Sequence, residues 1–411
     1  MEVAIRKVQS RPTWLDALTE DLGCIGVCIY LGTFWIGFRW DIPLISLSLC
    51  AALAFLLRRS ERLNDIQPVS FVLILLFLGT SAASALAGRN WMLSLRGSVS
   101  LLPALLLFIV ICFHFTKVNH FLALCFTFSA MAVALTLSIL YHVWSVGGNN
   151  TRSWIEATGS SILAVPNDLV FLAILAPFAL VQIQRKPKGF GAMMAYFALA
   201  LSLATAVVLR SRVTFLALFV SLIGTSFLVR PRLARLIASV VVIGTVLLDG
   251  LLGFRLISRF TSLLELGTRV SLWSASVRMF LAAPMLGQGP HTFGDIWRDY
   301  LPAGPNWIAM PVEAGFVPWP HNLYLELLSE RGMVAAILFT VLSAQAWLAA
   351  WRLTRSKEGN LRLLGCSVSV ALMTFFFASL FELTFLRLWV AVIWFVLIAV
   401  VESLRFISQR T

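Results

Sequence analysis

A chain of 411 residues in which 59% are hydrophobic and only 12% charged, with a mean hydropathy of +0.89, lies far from the soluble balance, where roughly a quarter of residues are charged. That excludes an ordinary soluble enzyme and points to an integral membrane protein. The formal charge of +13 does not mark a nucleic-acid binder, because the basic residues sit between apolar runs and form no continuous basic face.

Apolar runs of about 20 residues recur along almost the whole chain. We read twelve spans, at 21–38, 42–57, 68–87, 97–114, 120–144, 163–183, 190–209, 213–229, 233–253, 333–351, 363–383 and 386–404. The expected fold is an all-α polytopic membrane protein, since each helix satisfies its own backbone in lipid. Residues 1–411 read as a single transmembrane domain. The first run is not a signal peptide by pattern: Lys7 and Arg11 lead into Asp16, Glu20 and Asp21, and no small-residue cleavage site follows.

With both termini cytoplasmic, the inner segments hold 19 of the 32 basic residues, among them Arg58, Arg59, Arg62, Arg230, Arg232, Arg352, Arg355 and Lys357. The short outer turns are basic-poor, as the positive-inside rule requires. Residues 254–332 form the one long outer segment. Seven prolines and Trp297, Trp307 and Trp319 predict an ordered cap of short helices and turns, although tryptophan also suits a loop lying on headgroups. All six cysteines fall in expected spans, so neither a disulfide framework nor metal-ligand spacing is expected. No GxxxxGK[ST] sequence occurs, so neither a nucleotide nor any other cofactor is implied.

Polar chemistry collects at the outer span ends. Asp168, in VPNDLVFLAILAPFAL, is an acid at the start of the sixth span, either functional or paired with an arginine. Arg210, Ser211 and Arg212 interrupt two apolar runs between the seventh and eighth spans. Two guanidiniums this close call for an anionic partner, snorkelling to lipid headgroups being the bland alternative.

In GTRVSLWSASVRMFLAAPMLGQGPHTF, residues 267–293, Val270, Trp273, Val277, Phe280 and Leu281 repeat at helical spacing, with Thr268 as N-cap and Pro284 as stop. This predicts a surface-lying amphipathic helix with Arg269 in its first turn, beside free backbone N–H groups, as an anion site. In PHNLYLELLSERGMVAAILF, residues 320–339, Pro320 starts a helix and His321 stands at its N-terminus. The dipole there disfavours imidazolium and leaves a ring able to accept a proton, and arginines nearby would complete the set for activating a hydroxyl against a phosphate leaving group. His114, His120 and His142 read as interfacial, His291 as a weaker candidate, and Asp249 and Glu382 as lone acids in weaker context.

The order of these motifs resembles the bacterial O-antigen ligase and polymerase family. Ser211-Arg212 opens an apolar span; Arg269, Trp273, Pro284, Gly287 and Gly289 follow; His321, Asn322, Tyr324, Leu325 and Gly332 close the series. The match covers roughly residues 163–345.

The resemblance implies an inverting, metal-independent glycosyltransferase in the bacterial inner membrane. It would take glycan from undecaprenyl diphosphate at the periplasmic face and pass it to lipid A–core, with no cofactor. On that reading Arg212 and Arg269 hold the diphosphate and His321 activates the acceptor hydroxyl, while Arg210, Asp168, Asn322, Tyr324 and Arg331 line the substrate site. Arg331 departs from the family's Glu-x-Gly pattern: it either widens the anion site or pairs with Glu330.

A polymerase acting on a second carrier-linked repeat is the alternative within the family, and a protein oligosaccharyltransferase a third. A secondary transporter also fits twelve spans, but it predicts repeated halves and charge near the midplane, whereas these charges gather at the outer ends.

Overall fold

The computed structural model describes residues 14–36, 68–147, 150–160, 162–185, 188–229, 242–251, 253, 264–301 and 317–410. Among these the chain is helical and contains no strand. The main helices are α1 (Trp14–Thr33), α2 (Pro68–Ala87), α3 (Trp91–Val99), α4 (Leu102–His114), α5 (Val118–Val146), α6 (Val170–Arg185), α7 (Phe190–Val208), α8 (Arg212–Val229), α9 (Leu264–Ala282), α10 (Leu323–Glu326), α11 (Gly332–Leu353), α12 (Gly359–Ser379) and α13 (Leu388–Arg410).

Nine helical segments among the described residues are long and apolar enough to cross a membrane; α3 with α4, and α10 with α11, each form one of them. The expected span at 42–57 lies outside the described residues, and of that at 233–253 the described part is the short apolar helix Val242–Leu251 with residue 253. The first helix begins at Trp14, ahead of Asp16 and Glu20, which the sequence reading left outside the span.

α13 is the core of the bundle. Its WVAVIWFVLIAVV run is apolar on every face, the mark of a helix with no exposed side, and every residue from Trp389 to Leu404 is buried. Where lipid tails are as apolar as leucine, close packing holds helices together. Trp394 shows this at the centre: Phe339 stacks on it at 4.9 Å, Phe77 and Phe385 meet it at 5.4 and 5.7 Å, and its indole N–H donates to Ser343 at 3.0 Å.

Long-range polar contacts mark two ends of the bundle. At one, Lys117 pairs with Glu20 at 3.3 Å and Ser70 donates to Glu402 at 2.8 Å. At the other, Ser160 donates to the Trp35 carbonyl at 2.8 Å, Ser84 to the Glu330 carbonyl at 2.8 Å, and Asn167 to Glu382 at 2.9 Å. The first end carries Arg185, Lys188, Arg352, Arg355, Lys357 and Arg410 at its turns; the polar motifs of the sequence gather at the second. Cys24, Cys28, Cys112, Cys125 and Cys366 are free thiols.

The segment leaving α9 turns back on the start of α11 through backbone alone. Gln288 and Gly289 N–H groups donate to the Ser329 and Glu330 carbonyls, both at 2.9 Å, and Met333 N–H to the Pro284 carbonyl at 2.8 Å. This docking explains the glycines. Gly287 and Gly332 have φ of 69° and 76°, and a Cβ on Gly332 would stand 2.3 Å from the Met285 carbonyl oxygen.

Gly332→Ala is therefore expected to lose at least about 2 kcal/mol, from the left-handed backbone and the clash together. Gly359→Ala, in open space at the start of α12, is the matched control. Thermal unfolding in one detergent checks both, and equal midpoints would contradict the packing argument.

Candidate active site

Glu382 lies in the short connection between α12 and α13 and is the centre of the site. Its side chain is 2% exposed. Asn167, in the 3₁₀ turn Pro166–Leu169 that leads into α6, donates to its Oε2 at 2.9 Å. Arg269 of α9 approaches the same oxygen at 3.4 Å, and the His321 Nδ1 stands 3.3 Å from both carboxylate oxygens.

A buried carboxylate needs partners of this kind, because desolvation alone is expensive. Burial pushes the Glu382 carboxyl up, but His321, Arg269 and Arg387 outweigh it and hold it below its ordinary value.

A second layer fixes these groups. Ser211 donates to the Asn167 side-chain oxygen Oδ1 at 3.1 Å and shares a 2.7 Å hydrogen bond with Thr214, tying the start of α8 to the Glu382 cluster. Asp168 accepts from the Ala164 and Val165 N–H groups at 2.7 and 3.0 Å and forms an ion pair with Arg387. The Arg387 guanidinium lies 4.4 Å from the centre of the Trp319 ring, within cation–π range. The Trp319 indole N–H donates to His321 Nδ1 at 3.2 Å, and that of Trp273 to the Pro320 carbonyl at 3.0 Å.

Two of the three residues expected to do the chemistry, Arg269 and His321, thus meet on one carboxylate. Arg212 is the first residue of α8, next to Ser211 and half-buried. Arg210 has a left-handed backbone, φ 56°, as does His321 at 54°; strained non-glycine positions of this sort concentrate at functional sites.

Several details differ from the sequence reading. α9 starts at Leu264, so Thr268 lies inside the helix and Arg269 falls in its second turn, where no free backbone N–H groups back it; its partner is Glu382. The face of α9 that packs inward is Leu272, Ala275 and Met279, against Phe293, Ile296, Trp297 and Val317. Val277 and Leu281, on the apolar face that the sequence reading gave this helix, are 44% and 67% exposed: the helix carries two apolar stripes, and the other one packs on the 293–297 turn.

His321 precedes the helix and does not occupy its first turn. Asn322 is the cap, accepting from Leu325 N–H at 3.0 Å and donating to the Leu380 carbonyl at 3.1 Å, and the imidazole is aimed at Glu382.

Asn322, Tyr324 and Arg331, expected to touch substrate, have protein partners. The Tyr324 hydroxyl donates to the Phe376 carbonyl at 3.1 Å. Arg331 is fully buried, 3.5 Å from Glu326 and 3.6 Å from Glu330, with Phe385 beneath its guanidinium at 5.6 Å. Glu326 in turn accepts from Phe385 N–H at 2.9 Å, and Glu330 from His291 and Phe293 N–H at 2.8 and 2.9 Å. Arg331 therefore neutralises two buried glutamates: Glu326, which holds the Glu382 connection, and Glu330 of the π-helical turn Leu327–Arg331, which holds the 291–293 segment. His291 packs against Gly97, and burial, with Arg331 nearby, pulls its imidazole down to about 4.

Sequence reasoning underrated Glu382 and missed Arg387 and Trp319. The available signal was a lone acid and a lone base, five residues apart, between two apolar runs in SLFELTFLRLW. Beside the site, Tyr324, Leu327, Leu328, Met333, Ala336 and Ile337 line an apolar cavity of about 320 Å³. Among the described residues no cluster could hold a metal ion.

Residues 197–340 match a family model described as O-antigen ligase. The matched stretch includes Arg212, Arg269 and His321, while Asn167 and Asp168 precede it and Glu382 and Arg387 follow it. No curated protein matches the chain.

Proposed function

We propose, from the premise that residues 197–340 belong to the O-antigen ligase family, that this protein is the ligase itself: it transfers O-antigen glycan from undecaprenyl diphosphate to lipid A–core at the periplasmic face. One observation carries the reading. Arg269 and His321, 52 residues apart in sequence, share the buried carboxylate of Glu382, and Asn167 and Ser211 link that carboxylate to the start of α8, where Arg212 stands.

The chemistry follows from those groups. The acceptor hydroxyl gives its proton to His321 as its oxygen bonds to the anomeric carbon. The bond from that carbon to phosphate breaks with inversion, and undecaprenyl diphosphate departs carrying charge that Arg269 and Arg212 meet. Fixed cations aimed at developing charge do the work a metal does elsewhere, and Glu382 stabilises the imidazolium that forms, as an orienting carboxylate does.

The apolar cavity suits a lipid donor whose tail stays in the bilayer. Basic turns at the opposite end of the bundle support a cytoplasmic position for that end and an outward-facing site.

Reconstitution tests this directly. Purified protein in lipid nanodiscs is given lipid-linked glycan with either lipid A–core or a second carrier-linked repeat. Glycosylated lipid A–core is the expected product; product from the second acceptor alone would make the protein a polymerase. In the same assay Arg269→Lys is expected to lose about 10²-fold in turnover, since an ammonium cannot reproduce the guanidinium fork. Wild-type turnover in that variant would remove Arg269 from the diphosphate.

A further inference from the structure

Two groups compete for one ring nitrogen at this site. His321 Nδ1 lies 3.2 Å from the Trp319 indole nitrogen, which can only donate, and 3.3 Å from both oxygens of Glu382, a carboxylate that accepts from Asn167 and pairs with Arg269 and, ionised, can only accept. A nitrogen bearing a proton can serve Glu382 and not Trp319; a nitrogen with a lone pair can serve Trp319 and not Glu382. The contacts therefore belong to two different tautomers of one imidazole.

Trp319 is well fixed for this role. Its ring is covered by Arg387 at 4.4 Å, and Arg387 is anchored by Asp168. Pro320, the next residue, is held by the Trp273 indole, and the left-handed backbone of His321 turns the imidazole back over the indole, their centres 5.4 Å apart.

We propose that Trp319 is a positioning residue that selects the His321 tautomer. In the resting protein its N–H holds the ring with the lone pair on Nδ1 and the proton on Nε2, so that the ring cannot take a proton at Nε2. To act as a base the ring must carry its proton on Nδ1, donate it to Glu382, and present the Nε2 lone pair to the acceptor hydroxyl. The exchange moves one proton from Nε2 to Nδ1 by way of solvent and changes no charge. When the acceptor proton then arrives at Nε2, the imidazolium keeps its Nδ1–H on Glu382, and Trp319 N–H has no lone pair left to face. Trp319 thus opposes the working state until substrate draws it away. The catalytic consequence rests on the ligase reading; the tautomer does not.

The test is the ¹⁵N spectrum of histidine-labelled protein in nanodiscs without substrate, at mildly alkaline pH. Only five histidines occur in the chain, and a His321→Asn spectrum identifies the signals of His321. In the wild type, His321 Nδ1 is expected at the unprotonated position and Nε2 at the protonated one. In Trp319→Phe, which keeps an aromatic face for Arg387 and removes the N–H, the two are expected to exchange.

A wild-type ring protonated at Nδ1, or a Trp319→Phe spectrum unchanged from wild type, would overturn the proposal. The wild-type spectrum decides even if the variant does not fold. Because no substrate is present, failure of the ligase assay leaves this result standing, and failure here leaves the ligase assay untouched.

Discussion

Glu382→Ala should abolish transfer and destabilise the protein by about 3–5 kcal/mol, the scale for removing one partner of a buried ion pair. The substitution leaves Arg269, 18% exposed, without its carboxylate, and it strips an acceptor from Asn167 and removes the carboxylate that the His321 ring faces. Glu382→Gln separates the two losses. The amide oxygen still accepts from Asn167, so most of the fold stability returns, while the charge that would steady an imidazolium does not.

Acid sensitivity distinguishes them further. The carboxyl is held below its ordinary value, so its ionised form binds fewer protons in the folded protein than in the unfolded chain. The stabilisation is complete at neutral pH and is lost as pH falls from about 4.5 down through the lowered folded value. Wild-type protein should show that acid-side loss and Glu382→Gln should not. Unfolding curves in nanodiscs across pH, with transfer assays at neutral pH, read both effects. An Ala variant as stable and active as wild type would remove Glu382 from the centre of the site.

His321→Ala is expected to lower turnover by about 10²–10⁴-fold, the usual range for loss of a general base, with binding of the lipid-linked donor nearly unchanged because the arginines remain. The backbone needs its own control. At φ 54° any residue with a Cβ bears a left-handed cost, histidine included, but alanine also loses the ring's contacts with Glu382 and Trp319, so part of any loss reflects folding. Asparagine tolerates that conformation and cannot act as a base. His321→Asn should therefore be as stable as wild type and as slow as His321→Ala. Stable, fully active His321→Asn would end the base assignment.

Much of this was legible in the sequence. Spans such as α2, α5, α7 and α12 follow from apolar runs bounded by charge, which local composition reports faithfully. The errors came where charged residues neutralise one another inside helices. Glu20 of α1 is covered by Lys117, so the helix continues through an acidic stretch that seemed to bound it. Glu326, Glu330 and Arg331 close on each other, so the tenth span begins at Leu323, ten residues earlier than expected.

Arg269 and His321 stood out because each sits in a recognisable local motif. Glu382 did not, because its importance lies in partners 61 and 113 residues away, and a single acid between apolar runs carries no spacing to interpret. The glycines at 287 and 289 read from the sequence only as a tight turn, whereas Gly287 is needed by the backbone at Glu330 and Gly289 by Ser94, and only three-dimensional proximity reveals it.

The burial of α13 bears on how the protein is made. Because α4, α11 and α12 pack directly on this helix, and the carboxylate of Glu382 arrives only just before it, those helices leave the ribosome without that packing partner and Arg269 without the charge it needs. During synthesis the half-built bundle must wait in the bilayer with that arginine and Asp168 unmatched, held by lipid headgroups or insertion factors. A catalytic centre can assemble only when translation has passed residue 382 and α13 has slid into place.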